Sequence, residues 1–107
     1  MNARRRANKR AVVIEAKTGP CVLCDAELPP ECMHLDHVTG EKLFTIGSWW
    51  HTVGIGTLRA EIAKCRRVCP NCHALIHHFG RQGMTAERAA EKIRKEKGRV
   101  RRRTTGV

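Results

Sequence analysis

The side chains best able to do chemistry in this chain of 107 residues are its six cysteines and six histidines. Four of the cysteines form two Cys-x-x-Cys pairs, Cys21/Cys24 and Cys69/Cys72, with 44 residues between the pairs. Two residues between cysteines let one tight turn aim both thiolates at a single ion, and two such turns complete a tetrahedral zinc site. One pair alone would equally suit a redox disulfide; two pairs point to structural zinc. Cys32 and Cys65 read as small buried hydrophobes outside the ligand set.

The segment between the pairs carries His34-Leu35-Asp36-His37-Val38, and His73 follows the last paired cysteine directly, with His77 four residues on. Spacing of i, i+4 puts His73 and His77 on one helix face. A carboxylate and imidazoles brought together from a strand and a helix make a mixed oxygen and nitrogen site for a divalent ion. His34 lies on the same strand face as Asp36, where it either supports the site or stands idle. His51 takes no role, and His78 points elsewhere on its helix.

Three segments, LDHVTGEKLFTIG (35–47), EIAKC (61–65) and CPNCHALIH (69–77), resemble the HNH endonuclease family. The likeness is strongest to its small zinc-knuckle members from phages and other mobile elements. The resemblance implies a small α+β fold with a ββα-metal (His-Me finger) core, stapled by the four-cysteine zinc site and flanked by helices and basic arms. It implies a DNA phosphodiester hydrolase in which Asp36 binds the catalytic ion, His37 is the general base and His73 is a ligand on the helix. His77 is then a further ligand or a phosphate contact. Mg²⁺ or Mn²⁺ is the expected catalytic ion beside the structural Zn²⁺. Double-strand cuts would need a homodimer or two successive events, and partners in phage packaging or recombination fit the same likeness. The middle Asn of the family aligns with Lys64, which leaves open the group that orients His37; a backbone carbonyl is one candidate.

These residues need elements to hold them. A short helix over 7–17 should stop at Thr18-Gly19-Pro20. Residues 31–38 read as a strand, 39–42 as a turn and Leu43 to Ile46 as a return strand, making a hairpin. Residues 47–56 read as a glycine-rich loop, with Trp49 and Trp50 packing a small core or stacking on a base. Thr57 should cap a helix from Leu58 to about Lys64, with Leu58 and Ile62 on one face at i, i+4. A helix from His73 to Phe79 and a last helix over 86–97, capped by Thr85 and ended by Gly98, complete the chain. The organisation expected is a basic arm with a short helix (1–18), a zinc-stapled domain (19–82), and a helix with a basic tail (83–107).

The net charge of +11 is uneven: residues 1–10 carry +5, residues 92–103 carry +7, and the remainder is nearly neutral. Such arms suit a polyanion, since each neutralised phosphate releases counterions. Arg4, Arg5, Arg6, Arg66, Arg67, Arg101, Arg102 and Arg103 are the expected nucleic-acid contacts; solvated tails are the plain alternative. Neither arm has the apolar face of a membrane-binding helix, and six cysteines with no secretory segment suit the reducing cytoplasm, that of a bacterial host if phage-encoded. The reading that competes with a nuclease is a non-catalytic zinc module that binds DNA or RNA as an accessory or regulator. It requires the four cysteines but neither Asp36, His37 nor His73.

Overall fold

The computed structural model describes residues 3–105, with side chains through Lys97. Among the described residues the fold is small α+β: five α-helices, a two-stranded antiparallel sheet and a four-cysteine cluster. The elements are α1 (Ala3–Lys17), β1 (His34–His37), α2 (Ile46–Trp49), α3 (Ile55–Ile62), β2 (Cys65–Val68), α4 (Pro70–Arg81) and α5 (Ala86–Thr105). A 3₁₀ turn, Pro30–Cys32, precedes β1. Among the described residues no helix is long and apolar enough to cross a membrane.

The sheet departs from the expected hairpin. β1 pairs with β2, in the register His34↔Val68, Leu35↔Arg67, Asp36↔Arg66 and His37↔Cys65. Residues 43–45 form no strand, and Ile46 already opens α2. The reason is a long-range contact: the Leu43 N–H donates to the Glu61 carboxylate at 2.9 Å, so its hydrogen bond goes to a side chain rather than a ladder. The strand that does pair with β1 is held by its surroundings. Val22 N–H, inside the first cysteine turn, donates to Arg67 O at 3.0 Å, and Val38 N–H prolongs the ladder to Lys64 O at 2.8 Å.

The helices begin or end differently from their sequence signals at several points. α1 starts at Ala3 and lies against α3, β1 and the 3₁₀ turn, so the first basic segment is a packed helix. The expected loop over 47–56 contains α2 and the start of α3, which begins at Ile55 after Gly54, two residues before Thr57. α4 begins at Pro70, whose missing N–H is harmless in a first turn, and runs through Gly80 to Arg81. Thr85 does cap α5, its Oγ1 accepting from Arg88 N–H at 3.2 Å. α5 passes through Gly98, since a lone glycine among Lys, Arg and Glu weakens a helix by about 1 kcal/mol without stopping it.

The core surrounds the cysteines. Cys21, Leu23, Cys24, Met33, Val68, Cys69, Cys72 and Phe79 pack together, and Ala89, Ala90 and Ile93 bring α5 onto α4. Cys32 is exposed and Cys65 half-buried, so the first is no core residue. Trp49 is exposed and Trp50 only half-buried, so neither fills the core as expected.

Candidate active site and metal centre

Cys69 is the N-cap of α4, and its Sγ accepts from Cys72 N–H at 3.4 Å. In the first turn the Cys21 Sγ accepts from Leu23 N–H, also at 3.4 Å. Each turn thus presents its sulfurs inward over backbone donors. All four sulfurs are buried and lie within 4.8 Å of one another, with Cys24 Sγ and Cys69 Sγ 3.7 Å apart. A tetrahedral ion with sulfurs at 2.3 Å separates them by about 3.8 Å, and no disulfide joins these cysteines. The cluster fits a structural metal such as zinc. Burial pushes the Cys24 and Cys72 thiols up, and their sulfur neighbours add to this at Cys72. Cys21 is brought down to about 7: desolvation acts against ionisation there, but hydrogen bonds from the surrounding backbone outweigh it.

The second cluster sits in a cleft of about 480 Å³ beside the sheet, lined by His34, Asp36, His37, Lys42, His73 and His77 among others. β1 supplies the first three and α4 the last two. Asp36 and Arg66 are cross-strand partners, and Arg66 Nε donates to Asp36 Oδ2 at 3.1 Å. That leaves Oδ1, which lies 3.6 Å from His73 Nε2. His77 Nε2 is 3.1 Å from the same nitrogen, and His34 Nδ1 is 2.8 Å from His73 Nδ1 on the other edge of the ring. Burial lowers the pKa of His73 against the pull of Asp36, and His77, His34 and Lys42 push the same way as burial. A neutral His73 near pH 7 follows, with one ring proton to place.

His37 is held by a residue that the sequence did not single out. Its Nε2 lies 2.9 Å from Oε2 of Glu61, a helix α3 residue with 1% of its surface exposed. The same oxygen accepts from Leu43 N–H at 2.9 Å, and Oε1 accepts from Lys64 Nζ at 2.8 Å. The Lys64 ammonium, helped by the Leu43 amide, His37 and the Phe44 amide, overcomes the desolvation and lowers Glu61 to about 2. An ionised carboxylate can only accept, so the proton of a neutral His37 is on Nε2 and its Nδ1 keeps a free lone pair. A carboxylate, rather than a backbone carbonyl, therefore orients His37. Lys64 also donates to Glu41 O at 2.8 Å, tying the loop after β1 to α3. The available signal is weak: Glu61 falls three residues after Leu58, so the two share a helix face, and both are buried.

The remaining expected contacts divide. Arg67 caps the end of α1, with Nε donating to Pro20 O at 2.9 Å and an Nη to Ala16 O at 3.4 Å. Arg66 is turned to Asp36, and its Nη2 is buried without a hydrogen-bond partner among the described residues. Of the arginines expected at phosphates, Arg66 and Arg67 are thus engaged within the protein. Arg4, Arg5 and Arg6 lie exposed on α1; the side chains of Arg101, Arg102 and Arg103 lie outside the described residues. No protein-family model matches the chain, and neither a curated protein nor a solved structure matches it.

Proposed function

We propose that this protein is a metal-dependent endonuclease of the HNH type that hydrolyses phosphodiester bonds in DNA. The observation that carries the reading is the His37–Glu61 dyad opening into the cleft that also holds Asp36, His73 and His77. A base imidazole whose far nitrogen is fixed by a buried carboxylate is what proton abstraction from water requires.

Asp36 Oδ1, His73 Nε2 and His77 Nε2 would hold the divalent ion. Ligands about 2.1 Å from an ion in octahedral geometry stand about 3 Å apart, which suits the 3.1 and 3.6 Å separations here. When bound, such an ion supplies positive charge to the scissile phosphate and the departing oxygen. For His73 Nε2 to be a ligand, its proton must sit on Nδ1 and be donated to His34. Arg66 fixes the Asp36 carboxylate so that Oδ1 is the open oxygen. His37 Nδ1 takes a proton from water as the water oxygen bonds to phosphorus. The P–O3′ bond then breaks, leaving a 5′ phosphate and a 3′ hydroxyl that gains a proton from solvent. Lys42, at the cleft, adds charge for the phosphate.

Supercoiled plasmid incubated with zinc-loaded protein and Mg²⁺ or Mn²⁺ should be nicked, and His37→Ala should be inactive. If the wild type leaves plasmid intact with either ion, or His37→Ala cuts equally well, the catalytic reading is lost. Zinc and DNA binding persisting in that case would leave the non-catalytic module.

A further inference from the structure

One face of α1 connects the cleft to a tryptophan whose ring is met by two arginines. Arg6, Arg10 and Lys17 stand at i, i+4 and i+11, so they share that face. Lys17 lines the cleft beside Asp36 and His37. Eleven residues at 1.5 Å each place Arg6 about 16 Å further along the helix. The chain through α2 makes the same connection from the other side. Thr45, Ile46 and Gly47 line the cleft, and Trp50 follows α2 directly. The guanidinium carbons of Arg6 and Arg10 lie 5.9 and 5.8 Å from the Trp50 ring centroid.

This contact orders the arginines without using their donors. Attraction to the ring quadrupole acts on the guanidinium as a whole, and the N–H groups in its plane remain able to reach an anion. Both arginines are exposed. α1 carries six basic residues and one acidic one, Glu15, and its position is fixed by packing on α3 and β1. The result is a positive ridge with a defined direction from the cleft.

We infer that the seam between α1 and α2 is a phosphate track for one strand of duplex DNA, with Arg6 and Arg10 as its far contacts. The rise of 3.4 Å per nucleotide is measured along the duplex axis; followed along a strand, neighbouring phosphates are roughly 6–7 Å apart, so 16 Å corresponds to about two to three nucleotides from the scissile bond. The inference rests on the nuclease reading for where that bond lies. The Arg–Trp contact could instead serve only to fasten α1 to the body of the protein, and the test separates the two.

Zinc-loaded His37→Ala protein is titrated with a fluorescent duplex at several salt concentrations. Arg6→Gln/Arg10→Gln in that background should bind about tenfold more weakly at physiological salt. Its log K against log salt should be shallower by about 2, since each lost phosphate contact removes about 0.9. The single variant Arg6→Gln, which leaves Arg10 on the ring, should lose about half of that slope and serves if the double variant melts early. An unchanged slope in a folded variant overturns the track. Loss of slope, with a wild type that never nicks plasmid, keeps the track and removes the nuclease; wild-type nicking with an unchanged slope does the reverse.

Discussion

His37 and Glu61, 24 residues apart in the chain, meet at 2.9 Å between Nε2 and Oε2, with the carboxylate buried and the imidazole open to the cleft. On the proposed nuclease reading, the contact makes Glu61 a positioning residue. Glu61→Gln puts an amide where three donors now converge, so His37 loses both its tautomer and its angle. The nicking rate at saturating DNA should fall by about 100-fold, the lower end of what a general base contributes, while affinity for DNA stays level. Nitrogen chemical shifts of His37 give a readout independent of turnover: a single Nε2–H tautomer in the wild type, a mixture in the variant. Identical shifts in both proteins would remove Glu61 from this role.

The same carboxylate ties stability to pH. Glu61 titrates at about 2 in the fold against an ordinary 4.5, chiefly through Lys64. Its contribution is therefore complete above pH 4.5 and is lost as the pH falls from there toward 2. The stability gap between wild type and Glu61→Gln should narrow steadily as the pH drops from 5 to 3, measured by urea unfolding. A gap that stays constant over that range would show that the ionised form is not what the fold stabilises.

His34 makes a smaller but separable prediction. Its Nδ1 lies 2.8 Å from His73 Nδ1, the hydrogen bond that would keep His73 Nε2 free for an ion. Outer partners of this kind are typically worth tenfold or more in metal affinity. His34→Ala should weaken Mn²⁺ binding by about tenfold in calorimetry of the zinc-loaded protein, with little change in melting temperature. Equal Mn²⁺ affinity would make His34 a bystander.

Much of the framework was legible because it rests on local chemistry. The two cysteine turns, the stop at Gly19-Pro20 and the Thr85 cap each follow from a few adjacent residues, and all three are present. The sheet was misread because Leu43-Phe44-Thr45-Ile46 has the composition of a strand, while Cys-Arg-Arg-Val at 65–68 has little of it. What decides the pairing is the four-cysteine cluster, which draws the end of β2 beside the first cysteine turn, and the Glu61 carboxylate, which takes the Leu43 amide. Both are contacts between residues far apart in sequence. Glu61 itself was hidden for the same reason: an acid in a short helix looks solvated until its three donors are brought to it.

Gly19 tests the junction between α1 and the first cysteine turn. Its φ of +126° is open to glycine alone at little cost, and a Cβ there would stand 2.8 Å from an Arg67 Nη atom. Arg67 cannot simply withdraw, since it holds Pro20 O and Ala16 O at the end of α1. Gly19→Ala should destabilise the protein by about 1–3 kcal/mol, lowering the melting temperature by roughly 4 °C or more per kcal/mol. Arg67→Ala should lose stability too, but restore part of the Gly19→Ala loss when the two are combined. Strict additivity in that double-mutant cycle would mean that the clash is not with Arg67.

Zinc removal tests the whole frame. β2 ends at the Cys69 turn, α4 begins there, and β1 is held by pairing with β2, so both halves of the cleft hang on the cluster. The protein should carry one zinc per chain, and a strong chelator should unfold it rather than merely inactivate it, because metal affinity in such a domain is folding free energy. Burial keeps the Cys24 and Cys72 thiols protonated without the ion, so zinc must displace protons on entering. Retention against a fixed chelator should therefore weaken as the pH falls from 8 to 6, and zinc uptake in weak buffer should acidify the solution. Cys72→Ser should reproduce the chelated state at any pH. A chain that keeps its helical circular dichroism and its thermal transition after complete zinc loss would show that Cys21, Cys24, Cys69 and Cys72 serve as packing alone.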